Sequence, residues 1–202
     1  MRKLIVASSA VGVMLIGAAM SIPAQASRGT SGAQAVAAIK SYSKPVAAYK
    51  SHTCVIDLSG IADGATIDSI HKCGLTVTFS VTMTKHTVPN GGWNNWGHPN
   101  FTESSTPYVL AFQYGHRIAL TFSKPVRRAG VEMEGDAYAT ASFSADFFRG
   151  TTFLGDITRD VTTPDGARLF AGDAGTVKAK WITSIQLSDN NGGIFGIAQI
   201  RV

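Results

Sequence analysis

Leu75-Thr76-Val77-Thr78-Phe79-Ser80-Val81-Thr82-Met83-Thr84 decides the fold class: every odd position is apolar and every even one is Thr or Ser. Successive side chains of a β-strand point to opposite faces, so this rhythm buries one face and leaves the other polar. A helix would scatter the same apolar residues around its circumference. The pattern recurs along the chain. Tyr108–Tyr114 reads as a strand, and Ile118, Leu120 and Phe122 mark the inward face of the next. Val131 and Met133 alternate with Glu132 and Glu134, which predicts a solvated carboxylate face. Ala137–Phe147 carries apolar residues at its odd positions, Trp181, Ile185 and Leu187 share a strand face, and Ile194–Val202 closes the series. Asp63-Gly64, Pro164-Asp165-Gly166 and Asn190-Asn191-Gly192-Gly193 supply turn chemistry between these runs. Eight or more strands without a long helical pattern predict an all-β chain: a two-layer antiparallel β-sandwich or jelly roll.

The N-terminus predicts export. Arg2 and Lys3 precede an uncharged apolar stretch, Leu4–Met20, and Ala24-Gln25-Ala26 is a small-x-small cleavage site. Cleavage after Ala26 gives a signal peptide over 1–26 and takes the net charge from +5 to +3. Residues 27–52 read as a flexible or partly helical leader, with Ala33–Lys40 able to form a turn or two of helix before Pro45 breaks it. The β-sandwich domain is placed over 53–202. No apolar run after the signal is long enough to span a bilayer, so a secreted product, extracellular or periplasmic, is expected. Basic residues are scattered, with Arg127-Arg128 the one adjacent pair in the mature chain, which speaks against a nucleic-acid partner. Cys54 and Cys73, an even pair in an exported chain, predict one disulfide. His52 and His71 stand two residues before each Cys, but the spacing does not match common zinc sites and no metal site is assigned.

Several segments resemble a family of secreted bacterial β-sandwich domains, of the kind found in exported proteins with a PEP-CTERM sorting tail. The matching stretches are Val55–Ile67, Gly74–Ser80, Thr106–Phe112, Ile118–Val126 with Gly130–Glu134, and Gly192–Val202. The resemblance covers about residues 54–202 and implies the fold; most such proteins carry no assigned activity. The sorting tail itself is missing, so anchoring by that route is not carried over. A further likeness, to jelly-roll carbohydrate-binding modules, is one of fold and does not transfer function.

No G-x-S-x-G or H-E-x-x-H motif is present, and no catalytic residue is assigned. Glu132 and Glu134, about 7 Å apart by strand rise, lie within the separation of a glycosidase pair. Neighbours on one strand point the same way, however, and do not face each other across a cleft. The stretch Gly91-Gly92-Trp93-Asn94-Asn95-Trp96-Gly97-His98-Pro99-Asn100 is the most informative for function. Indole rings can stack on a sugar while amides read its hydroxyls, which makes Trp93, Asn94, Asn95, Trp96 and His98 the candidate ligand-binding residues. The competing reading is a packed loop whose indoles plug the sandwich edge. Asp57, Asp189 and Asn190 could hold Ca²⁺ at a shared edge, but ordinary turn chemistry explains them more simply. The expectation is therefore a non-catalytic binding module without a cofactor, with a polysaccharide or cell-envelope glycan as partner. A structural surface protein and an unrecognised glycoside hydrolase or esterase are the alternatives.

Overall fold

A computed structural model describes residues 39–89, 93–112, 115–136, 139–163 and 166–202. Residues 1–26, expected to be a signal peptide, and residues 27–38, Gly91-Gly92, Tyr114, Ala137 and Pro164-Asp165 lie outside the described residues. The chain forms β1 (Lys40–Tyr42), α1 (Ala47–Lys50), β2 (Thr66–Lys72), β3 (Leu75–Thr87), β4 (Tyr108–Ala111), β5 (Arg117–Val126) and β6 (Arg128–Gly135). It continues through β7 (Thr140–Arg149), β8 (Thr152–Thr162), β9 (Arg168–Asp173), β10 (Ile182–Asp189) and β11 (Phe195–Arg201). Every strand pairing is antiparallel.

The strands run in the order β1-β9-β6-β11-β4-β3-β5-β10-β7-β8, with β2 beside β3. This sheet folds back on itself into two layers, because β6 and β9 also pack against β7, β8 and β10. The corner is β3, whose length lets it serve both layers. Val77–Phe79 pair with β5, while Thr84–Thr87 pair with β4. Val131, Met133, Phe170 and Ile197 from one layer meet Phe147, Ile185 and Leu187 from the other in a single core. Phe195 locks the interface with an edge-on contact to Phe143 at 5.7 Å. The fold is the all-β, two-layer sandwich the alternation predicts.

The disulfide forms between Cys54 and Cys73, with Cα atoms 6.0 Å apart. Cys73 and Gly74 both have positive φ, 56° and 69°, and make the two-residue turn between β2 and β3. Cys54 exchanges backbone hydrogen bonds with Val202 at 2.8 and 3.1 Å. The bridge thus ties the tip of a hairpin to the segment paired with the end of β11. Cys54→Ser/Cys73→Ser is expected to lose about 3 kcal/mol, the chain-entropy value for a loop of this length. Urea unfolding of the double variant checks this, and an unchanged midpoint would contradict it.

Three sequence expectations need correction. Residues 39–52 are not a loose leader but belong to the same compact unit as the sandwich. Lys40 is in a strand rather than a helix, because Lys40–Tyr42 pair with Asp173–Ala171 of β9. Tyr49 on α1 is fully buried against Leu169 and Ala171. Glu132 and Glu134 do not form a solvated face: they are 0% and 1% exposed. Trp181 precedes β10 rather than lying on it, and a register shift between Ile182 and Ser184 interrupts the face it was expected to share.

Candidate functional site

The outer face of the β9-β6-β11-β4 layer carries two secondary apolar clusters. One is Tyr49 with Leu169 and Ala171, flanked by Tyr42. The other gathers Val88, Trp93, Trp96, Val109, Ala111 and Ala198. The N-terminal segment therefore covers one part of this face, and the loop from Trp93 to Pro107 covers another. Close contact depends on two glycines. A Cβ on Gly130 would collide with that of Ala171 and sit 2.7 Å from the Tyr49 hydroxyl; one on Gly97 would sit 2.7 Å from the Ala167 carbonyl oxygen.

Under the loop lie the two glutamates. The Trp96 indole N–H donates to Oε2 of Glu132 at 3.0 Å, and the Glu103 backbone N–H donates to Oε1 at 2.6 Å. Trp93 donates to Oε2 of Glu134 at 3.5 Å, and Gly166 N–H to Oε1 at 3.2 Å. The rings meet edge-on, with centroids 6.1 Å apart. That matches the roughly 7 Å between alternate positions of a strand, so the paired indoles sit over paired carboxylates. Burial pushes the Glu132 carboxyl up to about 8, against the opposing pull of the Trp96 and Glu103 N–H groups.

Next to this pair, Glu103 forms a fork-to-fork bond with Arg201. Nε meets Oε1 and Nη2 meets Oε2, both at 2.6 Å. Arg201 also donates to the Thr53 carbonyl at 3.2 Å, which ties the loop, β11 and the N-terminal segment together. Burial pushes the Tyr49 phenol far above its ordinary range.

The candidate ligand-binding residues divide by depth. Trp93 and Trp96 point inward, 8% and 2% exposed, so neither offers an open ring face for sugar stacking. Asn94 and His98 are exposed, and Asn95 is half-buried. The packed-loop alternative describes the indoles. The reason is that each N–H finds a buried carboxylate on β6, a partner far away in sequence. The complementary spacing of Trp-x-x-Trp and Glu-x-Glu is the signal that could have paired them. Past His98 the chain turns tightly, and its carbonyl accepts N–H bonds from Asn100, Phe101 and Thr102 at 2.9, 3.1 and 3.1 Å. This turn presents Asn100 and Phe101 to solvent. Beside it lies an open groove of about 300 Å³ between residues 44–50 and 99–103.

Other polar candidates have structural partners. Asp57 accepts from the Ser59 N–H and hydroxyl at 2.9 and 2.8 Å, and Asp189 from the N–H groups of Asn191 and Gly193 at 2.8 and 3.0 Å. Both carboxylates therefore cap turns. The Asn190 amide oxygen faces the hydroxyls of Ser144 and Ser188. Among the described residues no group of three or more His, Cys, Asp and Glu could hold a metal ion. Arg127 and Arg128 both bind Asp173, at 3.0 and 2.7 Å between Nε and the carboxylate. Among the described residues no helix is long and apolar enough to cross a membrane.

No family model and no curated protein matches this chain. Similar solved structures include a family 11 carbohydrate-binding module from a cellulosomal cellulase of Clostridium thermocellum. It is 11% identical over 74% of this chain and 92% of that one, with a TM-score of 0.35. A family 29 carbohydrate-binding module is 12% identical over 62% and 89%, with a TM-score of 0.33. The enzymatically active domain of a tailspike protein from bacteriophage CBA120 is 17% identical over 62% of this chain, with a TM-score of 0.32. The match spans 18% of that tailspike's length.

Proposed function

We propose that this protein is an exported, non-catalytic binding module that recognises a glycan or cell-envelope polymer. The observation that carries the reading is the two-sided build of the Trp93–Asn100 loop. Its indoles are fixed inward, while Asn94, His98 and Asn100 face solvent and Asn100 lines an open groove. Amide and imidazole groups both donate and accept hydrogen bonds, which suits the paired roles of sugar hydroxyls. Their backbone is held by buried anchors, so little freedom is left to lose on binding. Membership of the secreted β-sandwich family resembled by residues 54–202 belongs to the same proposal, and the Cys54–Cys73 bridge supports an oxidising destination. The one close glutamate pair is enclosed beneath the loop, which supports the non-catalytic part of the reading.

The test is gel electrophoresis through neutral and acidic soluble polysaccharides. At least one should retard the protein, and Asn94→Ala/His98→Ala/Asn100→Ala should migrate as in a sugar-free gel. Unchanged retardation of the variant would remove the loop as the site. Free migration in every polysaccharide would overturn the function.

A further inference from the structure

Two lysines, Lys44 and Lys50, line the groove beside the loop, and an exposed ring at the neighbouring turn holds Lys44 together with a third cation. Phe101, 38% exposed, has the Lys44 ammonium 5.2 Å and the Arg168 guanidinium carbon 4.3 Å from its ring centroid. Arg168 is held in place, since its Nη1 donates to the carbonyls of Gly166 and Ala167 at 2.7 and 3.1 Å. Lys50, also exposed, lines the groove with Lys44. Glu103, the acidic residue of the groove lining, has both carboxylate oxygens engaged by Arg201. Among the described residues neither lysine nor Arg168 is in an ion pair. Two positive groups thus line the groove and a third lies on the ring next to it, in a mature chain expected to carry a net charge of only +3. Pro45 and Pro99 add stiff apolar surface to the walls, and Asn100 adds an amide.

We infer that this groove takes the acidic groups of an anionic polysaccharide, carboxylate or sulfate, with Lys44, Lys50 and Arg168 as the recognising cations. The inference rests on the glycan-binding reading and narrows its ligand class. Converging cations draw in a polyanion by long-range attraction, whereas a neutral sugar gains little from them. A pinned guanidinium fork fits the paired oxygens of a carboxylate or sulfate. The apolar walls suit the C–H face of a pyranose, a contact that a simple polyanion does not need. Nucleic acid is the less suited polyanion, because the exposed aromatic ring is already engaged by Lys44 and Arg168.

Titration of the purified protein with polygalacturonate, dextran sulfate, neutral dextran, polyglutamate and a single-stranded oligonucleotide tests this. One of the acidic polysaccharides should bind at least about tenfold more tightly than dextran, a difference of about 1.4 kcal/mol. Whichever binds more tightly identifies the acid group. Lys44→Gln/Lys50→Gln should weaken that binding by about tenfold, and raising salt from about 50 to 200 mM should weaken it too. A control variant, Lys178→Gln/Lys180→Gln, removes the same charge from an exposed 3-10 turn and should leave affinity unchanged. Equal loss in the control would reduce the effect to net charge and overturn the inference. Equal affinity for dextran, polyglutamate or the oligonucleotide would also overturn it. Neutral-sugar binding that depends on Asn94, His98 and Asn100 but not on the lysines would sink this inference and leave the glycan-binding function standing. Binding to no sugar sinks both.

Discussion

Trp96→Ala is expected to destabilise the protein by about 4 kcal/mol, within the range for removing a large buried aromatic side chain. The ring is 2% exposed and packed in the apolar cluster over β11 and β4. Removing it leaves a cavity beneath the loop. It also deprives Oε2 of Glu132 of its indole donor in a site closed to water, adding the cost of an unsatisfied polar atom. Trp96→Phe separates the two contributions. It keeps most of the packing and loses only the N–H, so a loss of about 1 to 2 kcal/mol is expected. Denaturant unfolding of the three proteins measures both steps. A Trp96→Ala variant as stable as the parent would mean that the ring is free at the surface, and the inward half of the loop would have to be redrawn.

The second large effect is a dependence of stability on pH that originates in Glu132. Its carboxyl is raised from 4.5 to about 8 in the folded protein. Below about pH 4.5 folded and unfolded chains both hold the proton, so the contribution is fully present. Between about 4.5 and 8 only the folded chain keeps it. Each pH unit across that interval then lowers stability by up to about 1.4 kcal/mol, and the loss levels off above the folded value. The groups facing this carboxyl are the Trp96 and Glu103 N–H donors, the Glu103 carboxylate and Arg201. Asp57, Asp63 and Asp173 are lowered in the fold and titrate below this interval. Asp146, raised first by burial and then by Asp156, contributes equally to both members of a comparison.

Glu132→Gln provides that comparison. Its amide sets an NH₂ group against one of the two N–H donors, so the variant starts less stable at pH 5. Without a titrating group it then loses less as pH rises, and the gap to the parent should narrow toward pH 8. Parallel stability profiles would show that Glu132 is already ionised in the fold.

The long alternations of β3, β5 and β7 were legible because each strand has one face in the core and one facing outward. Period two is a local property, and local sequence carries it. The same rule failed on β6. Val131 and Met133 enter the main core as expected, yet Glu132 and Glu134 are also buried, because a loop that begins at Trp93 folds over the outer face. Nothing within Arg128–Gly135 encodes that cover. Tyr49 is the parallel case, reading as part of a leader and becoming the centre of an apolar patch once β1 pairs with β9.

By itself, then, the sequence determined the strand period, the turns and the cysteine pair, since these follow from backbone geometry and neighbouring side chains. It also singled out the Trp and Asn loop as chemically unusual. Only the tertiary structure decided which side of that loop meets solvent. Two indole N–H groups find buried carboxylates on a distant strand, so the rings turn inward and the amides outward. The cationic groove was equally out of reach. Lys44, Lys50 and Arg168 are distant or unremarkable in sequence; the fold sets Lys44 and Lys50 along one groove and brings Lys44 and Arg168 onto the Phe101 ring beside it.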